Sequence, residues 1–210
     1  MPRRLVPLVP EVHYHIYNRG NNRQAIFFEP DNYVYFLGKV EEYLLLVLDV
    51  LAYCLMPTHF HMLVRARAAP EHTSEVLKTS EVSSVSAASI AMMRLSVSYT
   101  KAINKRFNRV GSLFQAPFRA IPIEASDHLL NLCRYIHANP VKDGLVTDPA
   151  SWPYSNYAEW LGERQSRLVD PSFIDRHFGS ASDYRDFVAL YLRTRDLPSE
   201  TSVYLASLEH

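Results

Sequence analysis

Hydrophobic and polar residues alternate along the first part of the chain in the manner of half-buried strands. In residues 11–19, EVHYHIYNR, the apolar Val12, Tyr14 and Ile16 alternate with His13 and His15. Residues 47–56, VLDVLAYCLM, and residues 60–67, FHMLVRAR, read as two further strands joined around MPTH. Strands connected by so short a turn form an antiparallel hairpin.

Several other segments carry apolar residues at helical spacing. The first covers residues 29–45 with Asp31 as its expected N-cap, and the second covers roughly residues 88–107. The third begins at Ser126 and is expected to end before Pro140, because proline lacks the amide hydrogen that a helix needs. Residues 111–123 read as extended, residues 70–89 as a polar loop, and residues 168–192 as a helical tail. This order predicts the α+β class, an antiparallel sheet with helices packed against it.

Composition adds expectations about domain organisation and cellular setting. The chain has 210 residues, of which 48% are hydrophobic, so it can bury one core. We expect a main domain over residues 1–160 and a small helical extension over residues 161–210. Cys54 and Cys133 lie in apolar segments, as reduced core thiols of a cytoplasmic protein do. No signal peptide or membrane-spanning run is visible, and the final LEH reads as the remnant of a purification tag.

The distribution of charge along the chain suggests a nucleic-acid partner, although the overall charge does not. The formal net charge is zero, yet residues 82–123 contain no Asp or Glu. The same segment carries six basic residues: Arg94, Lys101, Lys105, Arg106, Arg109 and Arg119. Such a stripe suits a phosphate backbone, and a solvated helix face would account for it equally well.

Two histidine pairs have the spacing of neighbouring side chains on one strand face. His59 and His61 flank Phe60 in MPTHFHMLV, and His13 and His15 flank Tyr14 in VHYHIY. Residues i and i+2 of a strand point the same way, so either pair could bind one divalent ion. Either pair could equally be two polar residues on an ordinary strand, and spacing alone does not separate the pairs.

A third element, CRYIHANPVKDGLV, could supply chemistry. Tyr135 and Asn139 are four residues apart and therefore share a helix face. A tyrosine can attack a phosphate, although its ordinary pKa of about 10 means that a metal or base must activate it. Asn139 could add an oxygen ligand to an ion. The alternative is that Tyr135 packs in the core and Asn139 caps the helix before Pro140.

Four motifs in this order make the sequence recognisable: MPTHFHMLV, RVGSLFQAPFRAIPI, LLNLCRYIHANPVKDGLV and WPYSNY. Together they resemble the REP-associated tyrosine transposases, a group of single-tyrosine HUH transposases. The resemblance runs from about Val12 to Tyr157, and HYHIYNRGNNR also matches the family's N-terminal pattern.

The resemblance implies a ferredoxin-like sheet, similar to that of RRM domains, with the histidine pair on a central strand and the tyrosine helix laid across it. It implies that His59 and His61 bind a divalent metal, Mg²⁺ or Mn²⁺, and that Tyr135 becomes joined to DNA. The family often has glutamine where Asn139 stands, so Asn139 is a further candidate ligand. Thr58 replaces the usual asparagine before the first histidine, and no metal role falls to His13 or His15.

The function implied is cleavage and rejoining of single-stranded DNA beside a hairpin, with a 5′-phosphotyrosine intermediate. Backbone contacts are expected from basic residues, and Tyr99, Phe107 and Phe114 are candidates for base stacking, with core packing favoured for Phe107. The expected DNA-contacting residues are Arg19, Arg23, Lys101, Lys105, Arg106, Arg109 and Arg119.

The same residues are compatible with other functions. One is a catalytically inactive or domesticated hairpin-binding module of the same fold. A structural zinc protein is disfavoured, since two histidines without a cysteine cluster cannot close a tetrahedral site. No membrane partner is expected, and the protein is expected to be a monomer or a homodimer.

Overall fold

The structure is a computed structural model that describes residues 7–68, 86–124, 126–169, 171–206 and 208. Most of the predicted polar loop, residues 70–85, lies outside this range, as do the first six residues and the last two. The strands are β1 (His13–Arg19), β2 (Leu48–Met56), β3 (His59–Ala66) and β4 (Arg119–Ile123). The helices are α1 (Pro30–Leu44), α2 (Ala87–Arg106), α3 (Ser126–Lys142), α4 (Tyr157–Trp160), α5 (Pro171–His177), α6 (Ala181–Thr194) and α7 (Ser199–Ala206).

The four strands form one antiparallel sheet in the order β2-β3-β1-β4. Together with α1 and α2 they make the β-α-β-β-α-β arrangement of ferredoxin-like folds. The predicted α+β class with a ferredoxin-like sheet is therefore confirmed. Among the described residues, no helix is both long and apolar enough to cross a membrane.

Strand alternation divides the core into two layers, one on each side of the sheet. Ile16, Phe60 and Met62 point to the side covered by α1 and α2. Leu63 of β3 points to the opposite side, which is covered by α3 and the helices that follow it. Because α3 lies on that side, the polar residues that share a face with Leu63 lie beneath it.

Three details of the helices differ from the sequence predictions. The N-cap of α1 is Glu29, which forms a capping box with Asn32, and Asp31 lies inside the first turn. Pro140 does not end α3, which continues to Lys142, so Asn139 is inside the helix and does not cap it. A proline in the last turn removes a single backbone hydrogen bond, and the rest of the packed helix tolerates this. Helix α7 lies after the predicted helical tail of residues 168–192, within the helical extension expected over residues 161–210.

Residues 152–156 of the WPYSNY motif cover the edge strand β2, which would otherwise expose unpaired backbone groups. The amide of Leu55 donates to the carbonyl of Tyr154, and the Trp152 indole donates to the carbonyl of Leu55. The side chain of Asn156, which is fully buried, binds the backbone of both Leu51 and Tyr53. The motif therefore closes the sheet edge, and the division of the chain at residue 160 stays a prediction.

Candidate active site

The register between β1 and β3 places the candidate side chains on one face of the sheet. His61 pairs with Tyr17 and His59 pairs with Arg19 across the two strands. The ring centroids of His59 and His61 are 5.0 Å apart. Both imidazoles thus lie side by side at the end of the sheet where β3 begins.

Helix α3 brings Tyr135 to the same place. The side chain is largely buried, and its ring centroid lies 5.9 Å from that of His61. Asn139 follows one turn later and Lys142 about two turns later, so all three share a helix face. One cleft is lined by Tyr135, Asn139 and Lys142 together with His59 and His61. The candidate nucleophile and the candidate metal ligands, far apart in the sequence, therefore meet in a single chain.

Both histidines of the pair are held in the neutral form. Burial, reinforced by the positive charges of Arg19 and Lys142, lowers the pKa of His59 to about 4. Burial also lowers the pKa of His61 well below its ordinary value, and the neighbouring histidines add to this effect. A neutral imidazole is the form that binds a metal ion.

Hydrogen bonds decide which ring nitrogen of each histidine is left for the cleft. Nδ1 of His59 lies 3.0 Å from Oγ1 of Thr58. Nδ1 of His61 lies 2.9 Å from Nε2 of His15. With both Nδ1 atoms engaged, Nε2 is the nitrogen that each ring can offer to an ion. Thr58 therefore orients His59, a role that its sequence position did not indicate.

The donor set could hold a divalent cation that keeps open coordination positions. Nδ2 of the buried Asn139 has no hydrogen-bond partner in the described part of the chain. The oxygen of the same amide is the atom that would coordinate an ion. Two imidazoles and an amide oxygen leave room for water and phosphate oxygens around Mg²⁺ or Mn²⁺. Within the ranges described above, no group of three or more His, Cys, Asp or Glu could hold a metal ion. A closed structural zinc site is absent from those ranges.

The basic residues predicted to contact DNA divide into two sets. Arg19, Arg23 and Arg119 line the cleft. The other four, which do not line it, are Lys101, Lys105, Arg106 and Arg109. They lie on or just after α2, which packs on the opposite face of the sheet from α3. Whether they contact DNA stays a prediction.

Two members of the second basic set contact residues at the start of α1. Arg106 pairs with Glu29 at 3.1 Å, and Arg109 lies 5.4 Å from the ring centroid of Phe28. These contacts stabilise the start of α1 and the end of α2 without any ligand.

The aromatic residues proposed for base stacking are mostly in the core. Tyr99 is completely buried and Phe114 is 6% exposed, so neither can stack on a base in this conformation. Phe107 is partly buried and packs against Phe28 at a centroid distance of 4.7 Å. The stacking hypothesis is wrong for Tyr99 and Phe114, since both rings fill the layer beneath α1 and α2.

Several residues that line the cleft were not identified from the sequence, among them Lys142, Tyr17 and Leu208. Lys142 lies over the ring of Tyr135, with Nζ 4.2 Å from the ring centroid. Its position seven residues after Tyr135 on the same helix could have revealed it. Tyr17 faces His61 from the neighbouring strand, and Leu208, expected to be tag-derived, also lines the cleft. No sequence signal indicated the position of either residue.

The turn after β1 positions Arg19 and Arg23 at the cleft. A Cβ atom at Gly20 would clash with the carbonyl oxygen of Gln24, so only glycine fits there. Asn22 and Arg23 adopt positive φ angles of 52° and 58°. The tight turn folds the chain back so that both arginine side chains reach the same cleft.

Comparison with known proteins gives a match among solved structures. No protein-family model matches the sequence, and no curated protein matches it either. A solved structure described as the REP-associated tyrosine transposase bound to a REP hairpin is similar, with a TM-score of 0.55 and 14% sequence identity. The match covers 81% of this chain and 94% of the other. At this identity the similarity establishes a shared fold.

Proposed function

We propose that this protein is a metal-dependent transposase-type enzyme that cleaves and rejoins single-stranded DNA beside a hairpin. The observation that carries the proposal is the meeting of Tyr135 with His59 and His61 in one cationic cleft. The fold shared with a hairpin-bound tyrosine transposase supports DNA as the partner. The ion proposed is Mg²⁺ or Mn²⁺, for which the amide oxygen, water and phosphate oxygens are suitable ligands.

In the proposed reaction Oη of Tyr135 attacks the phosphorus of a DNA phosphodiester. The tyrosine hydroxyl loses its proton, a bond forms between Oη and phosphorus, and the bond to the 3′ oxygen breaks. The leaving oxygen takes up a proton and becomes a 3′-hydroxyl, while the 5′ side stays attached to Tyr135. Attack by another 3′-hydroxyl on this ester reverses the step and joins a new strand.

The residues of the cleft divide the remaining tasks between them. His59 and His61, with Asn139, would hold a divalent ion that polarises the phosphate and stabilises its developing charge. Arg19, Arg23 and Arg119 neutralise neighbouring phosphates and fix the strand. The ammonium group of Lys142, over the Tyr135 ring, favours negative charge on the phenolic oxygen as its proton leaves.

The groups that line the cleft all belong to one chain, and we propose that a monomer is sufficient to assemble it. Tyr135 reaches the histidine pair of its own polypeptide at a ring distance of 5.9 Å. We therefore propose that exchange of the tyrosine helix between subunits is not required for activity.

The proposal is tested by mixing the protein with a labelled hairpin oligonucleotide that has a single-stranded flank, in Mg²⁺ or Mn²⁺. A covalent protein–DNA adduct is expected on a denaturing gel, and chelation is expected to abolish it. The Tyr135→Phe variant should form no adduct because it lacks the attacking oxygen. Tyr35→Phe is the matched control, since Tyr35 lies on α1 and is 40% exposed.

Two results would decide against the proposal. Adduct formation by Tyr135→Phe at the wild-type level would exclude Tyr135 as the nucleophile. Tight hairpin binding by the wild type without adduct in either metal would support the inactive DNA-binding module instead. Gel-shift titrations of the same hairpin measure this binding directly.

A further inference from the structure

His15 is a polar residue in an apolar layer, and its two ring nitrogens have specific partners. The side chain is fully buried beneath α3. Its Nε2 lies 2.9 Å from Nδ1 of His61, and its Nδ1 lies 2.6 Å from Oη of Tyr204 on α7. A chain of two hydrogen bonds therefore joins the C-terminal helix to a candidate metal ligand.

The direction of these hydrogen bonds determines what His61 can bind. If Tyr204 donates to His15 and His15 donates to His61, the proton of His61 must sit on Nε2, where it blocks an ion. If His61 donates from Nδ1 to His15, then Nε2 of His61 carries a lone pair that can enter the cleft. His15 then carries its own hydrogen on Nδ1, and this N–H donates a hydrogen bond to Oη of Tyr204.

We propose that His15 and Tyr204 are positioning residues that hold His61 in its metal-binding tautomer. The inference rests on the proposed function, because it takes His61 as a metal ligand. Metal-binding histidines generally donate their second ring N–H to an acceptor that fixes the ring orientation. Here that acceptor is the imidazole of His15. The Nδ1–H of His15 in turn donates a hydrogen bond to Oη of Tyr204.

Helix α7 is attached in a way that keeps Tyr204 in place. The ring of Tyr204 packs edge-on against His128 of α3 at a centroid distance of 5.0 Å. Nδ1 of the same His128 lies 3.7 Å from Oε1 of Glu200, one turn earlier on α7. The C-terminal helix is therefore docked beside the tyrosine helix, and the proposal assigns the extension a part in the metal centre.

His13 provides a matched control within the same strand. It lies two residues before His15 on the same sheet face, but it pairs with Arg65 at the other end of β3. His13 does not line the cleft, and no hydrogen bond joins it to His61 in the described structure. Its replacement removes a histidine from the same strand and the same sheet face without touching the chain of hydrogen bonds.

The test measures Mn²⁺ binding by isothermal titration calorimetry in the full-length protein, with no DNA present. His15→Phe is expected to weaken binding by roughly 10–100-fold, the usual effect of removing such a partner. Tyr204→Phe, which deletes one hydroxyl, is expected to weaken it by a smaller factor, and His13→Asn to leave it unchanged. Long-range ¹H–¹⁵N spectra of the imidazoles should place the proton of wild-type His61 on Nδ1.

The outcomes separate this inference from the function on which it rests. If His61→Ala binds Mn²⁺ as tightly as wild type, the metal centre itself is wrong. If His61→Ala loses binding while Tyr204→Phe binds as wild type and His61 carries its proton on Nε2, the centre stands and the positioning role is refuted. Should His15→Phe fail to fold by circular dichroism, Tyr204→Phe and the wild-type spectrum still decide.

Discussion

Replacement of Asn156 by alanine should destabilise the protein more than any exposed substitution, because this one side chain serves three buried groups. Its Oδ1 accepts hydrogen bonds from the amide of Tyr53 at 2.6 Å and from Nε2 of His137 at 2.8 Å. Its Nδ2 donates to the carbonyl of Leu51 at 2.8 Å. Alanine leaves two donors unpaired in the core, while the Leu51 carbonyl keeps the Trp160 indole as a partner.

The size of the effect follows from those two donors. An unsatisfied buried donor costs about 1–3 kcal/mol, so the pair costs about 4 kcal/mol. Native stabilities are about 5–15 kcal/mol, so the variant would lose a large share of its stability. For a chain of this length the melting temperature should fall by roughly 8–16 °C.

Urea unfolding followed by tryptophan fluorescence measures the change in the free energy of unfolding. Asn21→Ala is the control, because Asn21 is exposed and an exposed substitution should change stability by no more than about 0.5 kcal/mol. A loss below about 1 kcal/mol for Asn156→Ala would show that the edge contacts of β2 do not depend on this amide.

Three further predictions concern the cleft and the sheet. Asn139→Ala should weaken Mn²⁺ binding by roughly tenfold or more, because an oxygen ligand is lost. Circular dichroism should show an unchanged fold, and an unchanged affinity in calorimetry would exclude Asn139 as a ligand. The double variant Arg19→Ala, Arg23→Ala should reduce the slope of the logarithm of the DNA-binding constant against the logarithm of salt concentration by about 1.4, because each phosphate contact on single-stranded DNA contributes about 0.7. Fluorescence anisotropy titrations at several salt concentrations measure this slope, and an unchanged slope would exclude both contacts. Burial would raise the pKa of Asp49, but hydrogen bonds from two neighbouring arginines lower it below its ordinary value. This carboxylate therefore stabilises the fold at pH values above the unfolded pKa of about 3.9, and its contribution is lost as the pH falls through the folded pKa. Asp49→Asn should accordingly lose less stability than wild type between about pH 6 and pH 3 in urea titrations, and an equal loss would refute the linkage.

The elements of the fold could be predicted because their signals are local. Alternation in β1 and β3 depends only on neighbouring residues, and both strands begin and end close to their predicted bounds. The wrong predictions involve tertiary contacts instead. Helix α3 continues through Pro140 because its packing outweighs one lost hydrogen bond, and Tyr99 turns inward because α2 packs against α1.

The distribution of the cations illustrates the same limit for the site. Charge density along the chain indicated a basic surface over residues 82–123, but it could not indicate which side of the sheet each residue reaches. Helix α2 lies on the side away from α3, so Lys101 and Lys105 are separated from the cleft by the sheet. Arg119 lies at the start of β4, and its side chain lines the cleft. The sheet topology, which no linear pattern reveals, makes this division.

The two histidine pairs share one sheet face, and their difference lies in position along it. In the register of β1 and β3, His59 faces Arg19 at the cleft end, whereas His13 faces Arg65 at the opposite end. His61 and His15 lie between them, close enough for a hydrogen bond. The second pair is therefore not placed to bind one ion together at the cleft, because His13 is too far along the strand and His15 is directed at His61. If the positioning role of His15 holds, one residue of the VHYHIY strand supports the site while the other serves only the sheet.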